Sequence, residues 1–203
     1  RLRRAGHDPP HDRLAVRLFV AVEPTPAIRG AAAELAARVV RAGGFAAVLV
    51  KPEALHFTLA FLGEIPEARR GAVEGALAGA PNVPPFTAGV AGLGAFPGPE
   101  RARVLWAGVR DGAAELTALA GGVRAALRAL GGTAVDSETR PFTPHLTLCR
   151  FRAPAALKSL ELFAGLPDTV MGRCPIQEFV LVRSILTSGG ARHERLRAFP
   201  LAE

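Results

Sequence analysis

Two short stretches carry residue types that could do chemistry together. His56-Phe57-Thr58-Leu59 and His145-Leu146-Thr147-Leu148 repeat the pattern His-x-Thr-Leu, with the two histidines 89 positions apart. In an extended chain residues two apart share a face and lie about 7 Å from each other. Each His is therefore expected beside its own Thr. Leu55, Phe57, Leu59 and Phe61 would make the opposite, core face of the first stretch, and Leu146 and Leu148 that of the second. An imidazole titrates near neutral pH and can give or take a proton, while a hydroxyl can donate to an oxygen that gathers charge. Two such pairs facing one another suit phosphoryl transfer without a metal: one imidazole as general acid, the other as general base, the hydroxyls on non-bridging oxygens. A single His on a strand is most often a hydrogen-bonded or partly exposed residue with no catalytic role. Two copies in matching Leu/Phe frames point instead to a shared site. A metal centre would need a third ligand, and no Asp, Glu or Cys accompanies the pairs at a short fixed spacing.

The elements that must position these pairs follow from periodicity. Arg17–Val22 is β-branched and aromatic enough for a strand, ended by Pro24 and Pro26. Ala27–Ala42 has helical spacing and a Gly43-Gly44 stop. Val48–Phe61 reads as extended, closed by Gly63, and a second helix spans Glu67–Ala80. Phe86–Phe96, Gly-rich and open to a bulge, and Arg103–Val109 read as strands. Ala113–Leu130 reads as a helix stopped by Gly131-Gly132, and Phe142–Phe151 as the second His-Thr strand. A fourth helix is expected from Pro154 to Ala164. A hairpin is expected from Ile176–Leu186 through Gly189-Gly190 to Glu194–Leu201. The element order reads as a pseudo-repeat of one α+β unit with one His-x-Thr in each half.

At 203 residues and 49% hydrophobic, the chain is long enough to bury a substantial core. Residues 1–14 read as a flexible basic extension with His7 and His11 solvated, and residues 15–203 as one domain or two small lobes. The net charge of +7 is almost wholly arginine, since Lys51 and Lys158 are the only lysines. Arginine suits phosphate and RNA, although a GC-rich genome would produce the same bias. Arg140 and Arg150 flank the second motif and are candidates for substrate contacts, the alternative being solvated charges at strand ends. His193 lies between Arg192 and Glu194, with Arg195 close by, and suits a solvated or phosphate-contacting position better than ligation of a metal. Cys149 and Cys174 lack metal or redox spacing and read as reduced, which points to the cytoplasm. No apolar run reaches the ~20 residues of a membrane span.

The stretch Leu55-His56-Phe57-Thr58-Leu59-Ala60-Phe61-Leu62-Gly63-Glu64 resembles the first motif of a known family. Arg140-Pro141-Phe142-Thr143-Pro144-His145-Leu146-Thr147-Leu148-Cys149-Arg150 resembles its second. The family is the RNA 2′,3′-cyclic phosphodiesterases, also called 2′-5′ RNA ligases, of the two-histidine phosphoesterase superfamily. The likeness extends to Arg17–Val22, to Ser184-Ile185-Leu186 and to Phe199-Pro200-Leu201. The chain departs from the pattern at Arg183 and His193, where the family often has Tyr.

The resemblance implies a bilobal α+β fold: two antiparallel sheets related by a pseudo-twofold duplication, flanking a central cleft, with helices outside. It implies hydrolysis of an RNA terminal 2′,3′-cyclic phosphate to a 2′-phosphate, with weak 2′-5′ ligation as the reverse chemistry. It makes His56 the proton donor to the departing 3′ oxygen and His145 the acceptor that activates water, with Thr58 and Thr147 on the phosphoryl oxygens. No cofactor, no metal, no membrane and no obligate protein partner are implied. Two other readings share these residues. One is a phosphodiesterase of a small cyclic nucleotide or a 2′-5′ linked oligonucleotide, and the other is an RNA-binding protein without turnover.

Overall fold

The computed structural model describes residues 15–80, 83–137, 141–159, 169–187 and 190–202. The expected N-terminal extension and Arg140 lie outside these residues. Among the described residues there are nine strands: β1 (Ala15–Val22), β2 (Ala47–Leu49), β3 (Phe57–Pro66), β4 (Phe86–Phe96), β5 (Ala102–Val109), β6 (His145–Ala155), β7 (Val170–Ile176), β8 (Glu178–Thr187) and β9 (Gly190–Pro200). Three α-helices accompany them: α1 (Pro26–Ala42), α2 (Arg70–Ala78) and α3 (Ala113–Leu130).

The helices form where local chemistry and burial agree. Thr25 caps α1 by accepting the amide hydrogen of Ile28 at 3.4 Å, and Pro26 fits the first turn, where its missing N–H is no loss. Ile28, Ala32, Leu35, Ala36 and Val39 make one buried stripe, and Gly43 ends the helix. Helix α3 buries Leu116, Leu119, Ala120, Val123 and Leu127 in the same way. It starts after Gly112 and stops at Gly131, both with φ near +70°, where a side chain would be strained.

The strands run β7-β4-β5-β6-β3-β1-β8-β9, with β2 also on β6, and every pairing is antiparallel. The expectation of two sheets is corrected here: the nine strands form a single sheet. Its halves meet only where β3 touches β6, at the pair Phe57↔Leu146. Both residues are fully buried. Packing supplies what this narrow junction lacks. Helix α1 packs on β6 and β7, α3 packs on β3 and β4, and one hydrophobic core runs behind both halves. A smaller cluster of Phe19, Ala21, Val180 and Val182 covers a separate patch of β1 and β8.

Four local expectations also change. The second helix begins with a 3-10 turn at Glu67–Arg69 and becomes α-helical only at Arg70. The expected fourth helix starts as strand, because β6 continues through Pro154 and Ala155. A 3-10 turn follows at Leu157–Ser159, and residues 160–164 lie outside the described set. β3 does not close at Gly63 but runs to Pro66. Phe61 does not join the core face: it is 41% exposed, whereas Leu62 is 1% exposed. The cause is a bulge. Ala21 pairs with Thr58 and Val20 with Ala60, so Leu59 is an extra residue and the in-out phase flips after it. The Leu59 carbonyl is not left unsatisfied, since Arg124 of α3 donates its Nε–H to it at 2.8 Å.

Candidate active site

The single contact between the sheet halves positions the site. With Phe57 opposite Leu146, that antiparallel register carried one residue further puts His56 across from Thr147 and Thr58 across from His145. Phe57 and Leu146 turn to the core, so the four polar side chains take the other face. All four are partly buried. His145 is the first residue of β6, while His56 sits just before β3 rather than within it. The register thus places the quartet on one face in a diagonal, each His opposite the Thr of the other strand.

Each histidine is anchored in the same way. The Nδ1 of His56 lies 2.8 Å from the carbonyl oxygen of Ala54, and the Nδ1 of His145 lies 2.7 Å from that of Thr143. A carbonyl only accepts, so in both rings Nδ1 carries the hydrogen and Nε2 is left with its lone pair for the cleft. Aromatic rings fix both rings further. His56 packs with Phe19 at 4.6 Å and His193 at 5.1 Å between ring centres. His145 packs with Phe96 at 5.3 Å and Trp106 at 6.1 Å.

Burial sets the proton affinities. It pushes His56 down from 6.5 to about 4; the Ala54 carbonyl opposes this, and His193, Arg29 and His145 add to it. Burial also lowers His145, the Thr143 carbonyl opposing and Arg150 adding to the fall. Burial thus favours the neutral form of both rings. Among the described residues no group of three His, Cys, Asp or Glu side chains is placed to hold a metal ion.

A cavity of about 1040 Å³ opens beside Thr58 and His145. Phe61, Phe96, Arg103, Arg124, Phe142 and Arg150 line it. Arg150, expected as a substrate contact, is exposed at this wall, and Arg103 joins it from β5. Phe61 and Phe96 are each more than a third exposed, apolar faces of a size that nucleobases cover. Sequence reading missed Phe19, Phe96, Trp106 and His193 as neighbours of the two histidines. No local pattern marked Phe19, since residues 18–22 of β1 are all apolar. No helix among the described residues is long and apolar enough to cross a membrane.

Comparison with known proteins places this geometry among relatives. A profile of the LigT-like phosphoesterases matches residues 22–106. The RNA 2′,3′-cyclic phosphodiesterase of Archaeoglobus fulgidus is 34% identical over 184 residues, covering 91% of this chain and 99% of that one. The protein of the same name from Aquifex aeolicus is 36% identical over 154 residues, 75% of this chain and 80% of that one. Among solved structures, Escherichia coli LigT complexed with 3′-AMP superposes with a TM-score of 0.75 at 29% identity, over 94% of this chain and 100% of that one.

Proposed function

We infer the function from the premise that this chain belongs to the LigT-like phosphoesterase family, together with the RNA 2′,3′-cyclic phosphodiesterases it matches along most of its length. The reading is hydrolysis of a 2′,3′-cyclic phosphate at an RNA end to a 2′-phosphate. The observation that carries it is the diagonal quartet. A phosphorus set between the two strands would have an imidazole at each end of its in-line axis, by the entering water and by the departing 3′ oxygen. The hydroxyls would lie at its two non-bridging oxygens. Water enters on the His145 side, and His145 Nε2 takes its proton as the oxygen attacks phosphorus in line with the P–O3′ bond. That bond breaks, and His56 gives its proton to the departing 3′ oxygen. Thr58 and Thr147 donate to the non-bridging oxygens as charge builds on them. The two half-sheets are read as a duplication: outward from the junction each runs four strands, β3-β1-β8-β9 and β6-β5-β4-β7, with its His-x-Thr strand innermost.

The donor role asks His56 to acquire a proton that its burial disfavours. The phosphodiester anion supplies the reason, since a negative charge beside a buried imidazole favours its protonated form. The cavity beside His145, with Arg103 and Arg150 on its wall, supports RNA over a mononucleotide as the substrate, and weak 2′-5′ ligation follows if a 5′ hydroxyl replaces the water. The test is incubation of an RNA ending in 2′,3′-cyclic phosphate with EDTA present, followed by identification of the product end. The expected product is a 2′-phosphate, formed at an unchanged rate. Dependence on an added divalent ion, or a 3′-phosphate product, overturns the reading.

A further inference from the structure

The two reactive imidazoles differ in one neighbour that the reaction as described does not use. His193 lies on β9, where its register partner on β8 is Ser184. Its ring stands edge-on to His56 at 5.1 Å between centres and to Phe19 at 4.9 Å, and Phe19 in turn lies 4.6 Å from His56. The three rings close a triangle with His56 at one corner. The matching place beside His145 is taken by Phe96 and Trp106, neither of which titrates. We propose that His193 is a positioning residue for His56. As a ring it holds the His56 imidazole in place, and as a base it competes with His56 for the proton that the reaction moves. This rests on the reading of His56 and His145 as the reacting pair.

The packing half of the argument is geometric. His56 precedes β3, and among the described residues its ring is fixed by one backbone hydrogen bond, from Nδ1 to the Ala54 carbonyl. Rotation about that contact would swing Nε2 away from the phosphate. Phe19 and His193 flank the ring and remove that freedom.

The proton half follows from charge. Two imidazoles this close cannot both be charged without repulsion, and their titrations are coupled. The other groups that act on His56 are Arg29 from α1 and His145 from β6, both further cations or potential cations. Around His193, Arg192 and Glu194 flank it on its own strand and Arg183 sits beside its partner Ser184 on β8. His193 is half-buried, and burial lowers its proton affinity as well. A charged His193 opposes the charging of His56 across the 5.1 Å between the rings.

The experiment compares wild type with His193→Phe and His193→Ala by pH–rate profiles and by NMR titration of the ring protons of His56 and His145. His193→Phe keeps a flat ring against His56 and removes the charge. The expected result is a His56 titration midpoint raised by at least about half a pH unit, the scale of two unit charges about 5 Å apart under strong solvent screening. The His145 midpoint should move less, and the kinetic limb that follows His56 should move by the same amount. His193→Ala should raise the midpoint too but lower turnover about tenfold at the optimum, a loss that His193→Phe restores. Superimposable titrations of His56 in wild type and His193→Phe overturn the competition for the proton. Full turnover in His193→Ala overturns the positioning role. His56→Ala and His145→Ala serve as controls. If they are inactive while both His193 variants behave as wild type, only this inference falls; if they retain full activity, the proposed function falls with it.

Discussion

His56 and His145 occupy corresponding places on the two innermost strands and make the same hydrogen bond to a carbonyl two residues back. Their surroundings are not alike. His56 is closed in by Phe19 and His193 and driven down to about 4. His145 packs against Phe96 and Trp106 beside the large cavity, and Arg150 adds to the lowering of its proton affinity. The repeated motif supplies two like imidazoles, and the walls make them unequal. Before substrate arrives, burial makes His56 the weaker holder of a proton, which by itself would suit a base. The donor role proposed for it therefore depends on the substrate anion reversing that order.

The largest effects should come from removing either carrier. His56→Ala and His145→Ala should each lower turnover by about 10²–10⁴, the range for a lost general acid or base. A cyclic end with sulfur in place of the 3′ oxygen separates them, because a thiolate leaves without needing a proton. It should recover most of the loss in His56→Ala and little in His145→Ala. Recovery confined to His145→Ala would show that burial, and not the family pattern, decides the roles. Thr58→Ala and Thr147→Ala should each lose about tenfold to a hundredfold, at or below the range for one oxyanion donor, since the partner hydroxyl remains.

A second contrast concerns stability. The folded value of His56, about 4, lies below the 6.5 of an exposed imidazole, so the unfolded chain takes up the proton first. The stability held by neutral His56 is complete above pH 6.5 and is lost as pH falls toward 4. That gap is worth on the order of 3 kcal/mol. His56→Phe keeps a ring against Phe19 and removes the titration. Its melting temperature should fall less than that of wild type between pH 7 and pH 4.5. His145→Phe, at a more open position, should change that slope less. A larger flattening in His145→Phe would contradict the burial difference between the two sides.

The quartet was legible in the sequence because alternation ties each Thr to the face of its His, whatever the tertiary fold. Helix α3 was legible to the residue, Ala113–Leu130, since its apolar period and Gly131 agree on the boundary. Strand β7 was missed. Its segment Val170–Ile176 contains Gly172 and Pro175, which weaken a strand signal, and it survives as an edge strand paired only with β4. The inward placing of Phe61 failed because a bulge at Leu59 leaves no mark on local alternation; it depends on the register with β1. The neighbours that distinguish the two histidines were hidden for a similar reason. His193 reaches His56 only because β9 joins the sheet beside β8, far along the chain from β3.

The smallest expected effect tests the His145 wall alone. Gly94 on β4 pairs with Trp106 on β5, and a Cβ added at Gly94 would stand 2.1 Å from the indole ring. The backbone of Gly94 is not in the left-handed region, so alanine is excluded only by the ring. Trp106 cannot yield freely, since Phe96 lies 5.2 Å from it and His145 is its other neighbour. Gly94→Ala should therefore overpack this wall, lowering stability by about 1–3 kcal/mol. The displaced indole should also cost a few-fold in turnover by shifting His145, far less than losing the imidazole. Trp106 is the only tryptophan in the chain, so its fluorescence reports this wall and nothing else. The expected signature is a changed emission spectrum with a shifted His145 titration and an unmoved His56 titration. If both histidines shift together, the two walls are mechanically coupled through the Phe57↔Leu146 junction. The separate environments described for the two imidazoles would then have to be treated as one.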